Sequence, residues 1–505
     1  MDLSHIRQKA VLPKSSAFHT KTFQKQCLSL AQAEEYIVRG SRDLFSLLPQ
    51  AFKGIRQIGV IGWSSQGPAQ AQNIRDSLVG TNITVKVGLR ESSSSTSAAE
   101  RAGFTRNNGT LDEMYQVISE SDFVLLLISD AAQAEMYQRI FAALRPKSTR
   151  GLSHGFLLGH LRKMSVYFPN NVNVVAVCPK GMGLSVRRLY QQGVDINGVG
   201  INCSFAVEQD VTGMATDYAL GWAIALGSPV TFQTTLRSEY LSDLVGERGI
   251  LLGAVHGITE SLYRWFMQHG FSAGEALIKA VESITGPISR MVSEKGILSV
   301  FQSMDDKDKE TFRRAFSTAY MPAFDILLEI YDEVSSGNEI SSVTMAHKRH
   351  QRFPMGKIDG TDMWKVGKEV REKGGTFSTP IHPVTAGLHL ATMMAQVDLL
   401  KEKGHPYSEI ANESVIEAVD SLNPYMHHKG VSFMVDNCST TGKLGARKWA
   451  PRFDYILTQQ VLVTMDEGNE LNASIFDAFW NNDIHEVLTV CAQLRPPVNI
   501  AVIDA

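Results

Sequence analysis

Long apolar runs are missing from this 505-residue chain. The longest candidate, Leu251 to Leu262, is broken by His256, Thr259 and Glu260, so no stretch is long and apolar enough to span a bilayer as a helix. An excess of either charge sign is missing too. Lys and Arg number 49 against 52 Asp and Glu, a net charge of −3, which removes the basic face that nucleic-acid and membrane-surface binders present; neither partner is expected. Cysteine is scarce. Cys27, Cys178, Cys203, Cys438 and Cys491 are widely spaced, odd in number and without a CxxC pair, which argues against a disulfide framework or a zinc site and for a reducing compartment.

What is present is a soluble, globular composition, 44% hydrophobic, in a chain too long for one ordinary core. The first 25 residues carry Arg7, Lys9, Lys14, Lys21 and Lys25 against Asp2 alone, as in the remnant of an organelle transit peptide or a frayed basic arm. Residues 1–33 are therefore set apart as an arm. From there to about residue 230, β-rich runs alternate with helix-length segments: Gln57–Gly62, Thr84–Leu89, Phe123–Ile128, Gly151–Ser153 and Asn173–Val177. That alternation predicts βαβ units and a mainly parallel sheet over 34–230. Residues 231–505 carry helical periodicity and read as all-α, with a loop-rich polar stretch at Ser335–Gly375. This half also repeats itself. Gly249–Glu260 lies over Gly387–Asp398, and Ala280–Ile284 over Ala418–Leu422, both at an offset of 138 (387 − 249 and 418 − 280).

Four constellations carry chemistry. Gly62-Trp-Ser-Ser-Gln-Gly67 follows the strand Ile58–Ile61 and opens a helix, the context of a phosphate site at a helix N-terminus, although Ser64 stands where the dinucleotide fingerprint has its middle glycine. An ordinary βα turn is the alternative. The next strand ends at Arg90, followed by Glu91 and a serine run. A basic residue there accommodates the 2′-phosphate of NADP, while the serines also read as a flexible loop. Asp243 and Glu247, and again Glu413 and Glu417, space two carboxylates at i and i+4 on one helix face. Like charges so placed destabilise a helix unless a cation compensates, which suits two Mg²⁺ on oxygen ligands; a solvated charged face is the bland alternative. At offset 138 these pairs fall on Ile381 and Thr385, and on Glu275 and Lys279, so each half retains one pair. Finally, His154 and Lys180 follow predicted strands, where open α/β sheets place ligands, although single residues of these types are usually surface groups.

From about Glu34 to Val502 the chain resembles plant-type, long-form ketol-acid reductoisomerase (acetohydroxyacid isomeroreductase). The resemblance is carried by Gly59–Trp63, Ser65–Asn73, Gly151–His160, Cys178–Gly183, Gly246–Gly257, Asn412–Pro424 and Asp436–Thr441. It implies a Rossmann-type N-terminal α/β domain and a knotted, internally duplicated helical C-terminal domain. It also implies NADPH, two Mg²⁺ and acetohydroxy acid substrates of branched-chain amino-acid synthesis. By motif match, Asp243, Glu247, Glu413 and Glu417 would be metal ligands, with Glu247 and Ser439 touching substrate. His154, Lys180 and Glu417 would be catalytic, Lys180 stabilising developing negative charge and Glu417 a candidate for proton transfer. Gly62, Ser64, Gln66, Gly67, Arg90, Ser93, Ser95, Ser129 and Asp130 would line the cofactor. A homodimer and a plastid location follow from the same resemblance. Ser64 and Glu91 depart from the family pattern and bear on cofactor affinity. Two other readings stay open on the residues alone: a metal-independent hydroxyacid dehydrogenase, and a non-enzymatic paralogue with a weakened cofactor site.

Overall fold

A computed structural model of the chain describes residues 18–374, 379–468 and 472–496; most of the basic N-terminal segment lies outside them. Lys14–Tyr240 and Gln493–Pro496 form one unit, and Leu241–Ala492 another.

The first unit is built on one sheet. Its strands are β1 (Gln26–Leu30), β2 (Ala33–Arg39), β3 (Gln57–Ile61), β4 (Thr84–Leu89), β5 (Leu111–Glu113), β6 (Phe123–Leu126), β7 (Thr149–Leu152), β8 (Asn173–Pro179), β9 (Cys203–Gln209) and β10 (Val230–Gln233). They lie in the order β1-β2-β10-β9-β8-β7-β6-β3-β4-β5. From β5 to β8 every neighbouring pair is parallel. That portion has the 3-2-1-4-5-6 order of a dinucleotide-binding fold, with its topological switch between β3 and β6. The apolar runs of β3, β6 and β8, and all four residues of β7, are buried because helices cover both faces of a parallel sheet.

Three of the remaining strands lack a buried apolar run or are very short. β5 has three residues, and β1 and β2 carry the exposed polar positions of an antiparallel hairpin. Their presence corrects the expected boundaries. The sheet begins at Gln26 rather than after residue 33, and the unit runs past residue 230 because β10 closes the gap between β9 and β2.

The second unit is helical throughout its described residues. The segment expected to be loop-rich contains the helices Asn338–Arg352 and Asp362–Glu372. In the first of these, Ile340, Val343 and Ala346 form a narrow buried stripe on an otherwise charged surface, and so sparse a stripe hides helical periodicity.

The duplication holds, at a different register. Helix Gly253–Gln268 is followed by Gly270 (φ 87°) and helix Pro383–Glu402 by Gly404 (φ 81°); Gly296 (φ 83°) and Gly430 (φ 101°) break the chain again. Both pairs differ by 134 (404 − 270 and 430 − 296), as do the helix starts Ala273 and Tyr407, and Asp306 and Thr440. The packing is exchanged between copies: Asp306–Ser335 lies on Pro383–Glu402, and Gly253–Gln268 on Thr440–Ile456. The sequence match at 138 was off by four residues, close to one helical turn, which leaves each apolar face aligned with itself. At 134, Glu413 and Glu417 correspond to Lys279 and Ser283 and Glu247 to Ile381, while the partner of Asp243, Phe377, lies outside the described residues. One copy still retains each carboxylate pair.

Candidate active site: a nucleotide cradle and a carboxylate cluster

In the first unit the turn after β3 sits at the topological switch. Gly62 has φ 107°, and a Cβ there would lie 2.7 Å from the Leu127 carbonyl oxygen at the end of β6, so only glycine fits. Gly67 opens the helix Gly67–Ser77, with Gly62 O 2.4 Å from where its Cβ would be. Ser64, in contrast, is exposed and outside the left-handed region, and its Oγ donates to Leu127 O at 3.4 Å. Arg90 and Glu91 are both exposed beyond β4, where solvent screens each of them. Ser93 Oγ accepts from the Ser95 backbone at 3.3 Å. Ser129 N-caps the helix Asp130–Ala143 through Ala132 N–H, and Asp130 Oδ1 lies 3.8 Å from His154 Nδ1.

Two glutamines tie this turn to the chemistry-bearing loops. Gln66 Nε2 donates to Gly181 O at 2.9 Å, so the side chain expected to contact cofactor braces the loop after β8. Gln70 Nε2 donates to Ser153 Oγ at 2.7 Å while its Oε1 accepts from Trp222 Nε1 at 3.0 Å. Gly183 lets the loops touch, since a Cβ there would sit 1.8 Å from Ser65 O.

His154 accepts the Phe156 N–H on Nδ1 at 3.0 Å, which sets its ring orientation. Lys180 is buried, and its partner is a residue the sequence reading missed. Glu239 Oε1 stands 3.7 Å from Lys180 Nζ, and Glu239 Oε2 accepts from Gly155 N–H at 2.7 Å. One buried carboxylate thus holds both strand-end loops. The available signal was its place one turn before Asp243 on the helix Leu236–Arg248.

The second unit holds the carboxylates. Asp243 and Glu247 lie on the last turns of Leu236–Arg248 and are partly exposed. Glu413 and Glu417 lie on a helix widened into π-type turns from Asn412 onward, with relative exposures of 0% and 9%. π-turns accumulate at functional sites, and nothing in residue type or spacing announces one.

Gln396, fully buried and also missed, staples the two segments. Its Oε1 accepts from Ile250 N–H at 3.0 Å, and its Nε2 donates to Glu413 O and Ser414 Oγ, each at 3.2 Å. Gly246 brings the helices close, with Glu413 O 3.2 Å from its Cβ position. Ser439 N-caps Thr440–Ile456 and donates to Glu247 Oε1 at 3.4 Å. Beside it, burial and then the charge of Glu247 push the Cys438 thiol up to about 12, so it stays protonated and is no nucleophile.

The side chains of Asp243, Glu247, Glu413, Glu417 and Ser439 offer only oxygen donors, the chemistry that hard divalent cations take. A buried cation, Arg248, is engaged by Glu247 at 2.9 Å and by Glu339 at 3.0 Å. Burial alone would raise the Glu339 carboxyl, but Arg248 and Lys448 outweigh it and hold the group below the usual carboxylate range. These residues fit Mg²⁺.

A family model described as acetohydroxy acid isomeroreductase, NADPH-binding domain, matches residues 53–231, and one described as ketol-acid reductoisomerase, C-terminal domain, matches residues 236–374. Over 503 residues the chain is 58% identical to the chloroplastic ketol-acid reductoisomerase of Pisum sativum, covering 98% of this chain and 86% of that one. The chain belongs to the ketol-acid reductoisomerase family. The chloroplastic enzyme of Spinacia oleracea is 57% identical over 495 residues, 96% of this chain and 83% of its own. A solved NADH-preferring ketol-acid reductoisomerase from an uncultured archean has the same fold, with TM-score 0.55 at 22% identity over 65% of this chain and 96% of that chain.

Family membership gives Ser64 a testable meaning. Since Oγ stands where nucleotide-binding turns present bare backbone, Ser64→Gly is expected to tighten NADPH binding about 3–10-fold, equal to about 0.7–1.4 kcal/mol. Fluorescence titration of NADPH measures it; unchanged or weaker binding would show that the serine is accommodated without cost.

Proposed function

We propose that the chain converts 2-acetolactate or 2-aceto-2-hydroxybutyrate to the 2,3-dihydroxy acid, by Mg²⁺-dependent alkyl migration followed by NADPH reduction, in valine and isoleucine synthesis. The observation that carries this reading is the pair of i, i+4 carboxylate sets of the helical unit, stapled by Gln396, in a chain whose other unit carries a nucleotide cradle. Two bound Mg²⁺ would supply Lewis acidity toward the substrate's ketone and hydroxyl oxygens, and NADPH the hydride.

The chain's own residues do the rest. Asp243, Glu247, Glu413 and Glu417 hold the metals, and Ser439 hydrogen-bonds substrate beside Glu247. Glu417, the less buried of its pair, takes up or returns the hydroxyl proton. Lys180, with its ammonium held by Glu239, stabilises negative charge developing on a substrate oxygen. Gly62 and Gly67 bring backbone N–H groups to the pyrophosphate, and Arg90, Ser93 and Ser95 favour a 2′-phosphate, hence NADPH over NADH. The chloroplastic relatives support a plastid location, and a homodimer is the assembly we propose.

The test follows NADPH oxidation with 2-acetolactate, with and without Mg²⁺, beside a plain 2-ketoacid. Turnover of acetolactate lost on chelation supports the reading. Turnover of the ketoacid alone, insensitive to chelation, would make the chain a simple dehydrogenase. No turnover of either by folded protein would make it a non-enzymatic paralogue.

A further inference from the structure

We propose that Arg248, anchored by Glu339, is a positioning residue that commits Glu247 to the metals through one oxygen only. This rests on the metal site of the reading above and specifies how one ligand is presented. A glutamate on a helix end offers two equivalent oxygens and several rotamers, and a free carboxylate can chelate one cation or bridge two. In this structure the two oxygens differ. Oε2 lies 2.9 Å from Arg248 Nη1, while Oε1 faces Ser439 Oγ at 3.4 Å. The guanidinium is itself enclosed and anchored. It is fully buried, its Nε is 3.0 Å from Glu339 Oε2, and Glu339 Oε1 accepts from Trp449 Nε1 at 3.0 Å and from Lys448 Nζ.

The chain Trp449/Lys448–Glu339–Arg248–Glu247 therefore runs from the helix Thr440–Ile456 through Asn338–Arg352 to the carboxylate cluster. Only the planar fork of arginine can bind two carboxylates in this way. Gly445 makes room for it: a Cβ there would fall 2.8 Å from Arg248 Cζ and 2.9 Å from Nη1. Groups that orient metal ligands in this manner typically change metal affinity 10–100-fold when removed. A merely structural ion pair would alter stability and leave metal affinity alone.

Binding of Mn²⁺, a spectroscopic stand-in for Mg²⁺, to the full chain separates the two, read by electron paramagnetic resonance without turnover. Arg248→Lys keeps the charge and loses the fork; Gly445→Ala displaces the guanidinium and removes no charge. Each is expected to weaken Mn²⁺ about 10–100-fold while NADPH binding stays within twofold of wild type. Combined with Glu247→Gln, Arg248→Lys should add little beyond the single Glu247→Gln loss, because both changes remove one interaction. Mn²⁺ affinity within twofold of wild type in either folded variant, or fully additive losses in the double variant, overturns the proposal. Wild type that binds no Mn²⁺, or binds it undiminished in Glu247→Gln, overturns the metal site and this inference with it.

Discussion

Glu413→Gln is expected to lower Mg²⁺-dependent turnover of 2-acetolactate by about 100-fold or more while leaving NADPH binding unchanged. The substitution preserves shape and removes one negative charge from a side chain with no exposed surface. Its counterpart in the other copy, Lys279, shows that the fold accepts a residue there without a carboxylate. Like charges one turn apart on a helix repel, and burying them adds desolvation. Without metal, the thermal midpoint of Glu413→Gln should therefore equal or exceed that of wild type, and added Mg²⁺ should raise it less. Opposite movements of stability and activity mark a residue retained for function. Activity within tenfold of wild type would remove Glu413 from the metal set. The nucleotide cradle lies in the other unit, so NADPH titration serves as the internal control.

Arg150→Leu is expected to stabilise the protein. Arg150 sits in the middle of β7 with no exposed surface; its three guanidinium nitrogens have no hydrogen-bond partner among the described residues, and it stacks on Phe141 (4.6 Å) and Phe168 (5.3 Å). Cation–π contact returns part of the desolvation cost of a buried cation, and the rest weakens the fold. Leucine at this position should add about 1–4 kcal/mol, raising the midpoint of the nucleotide unit by about 2–4 °C per kcal/mol.

The pH dependence gives the sign independently. Burial pushes the guanidinium down to about 9 from 12.5. Between those values the unfolded chain binds more protons than the folded one. Stability from this group therefore rises with pH through that window, and the full penalty is present below it. The gap between variant and wild type should be largest near neutral pH and shrink above about 9, as followed by urea denaturation across pH. A variant no more stable than wild type at pH 7 would mean that the two rings fully offset the buried charge.

Much of the site was legible because chemistry restricts residue type. The strand–turn–helix at Gly62–Gly67 and the strand-end residues His154 and Lys180 occupy the places their sequence context indicated, and the i, i+4 pairs lie on helices. What was illegible acts by contact. Gln396 and Glu239 lie in no motif and Arg248 in one that gave it no role, and each matters through a partner at least 59 residues away or on another helix: Glu413 and Ile250, Lys180 and Gly155, or Glu339. Gln66 illustrates the converse, a residue in the right motif whose side chain is spent on the Gly181 carbonyl.

The sequence by itself determined the class of each half, the nucleotide-binding turn and the two carboxylate pairs, since glycine tolerance and periodicity are local properties of the chain. It also revealed that the helical half is doubled, yet misplaced the register by four residues, because a shift near one turn leaves a helix face unchanged. Tertiary structure alone decided the rest. It set the offset at 134 through the paired left-handed glycines and exchanged the long helices between copies. It also widened the helix that carries Glu413 and Glu417 into π-turns and gave Glu247 one oxygen on Arg248 and another beside Ser439. The carboxylate pairs are written in the chain; which oxygen each presents is settled by neighbours far away in sequence.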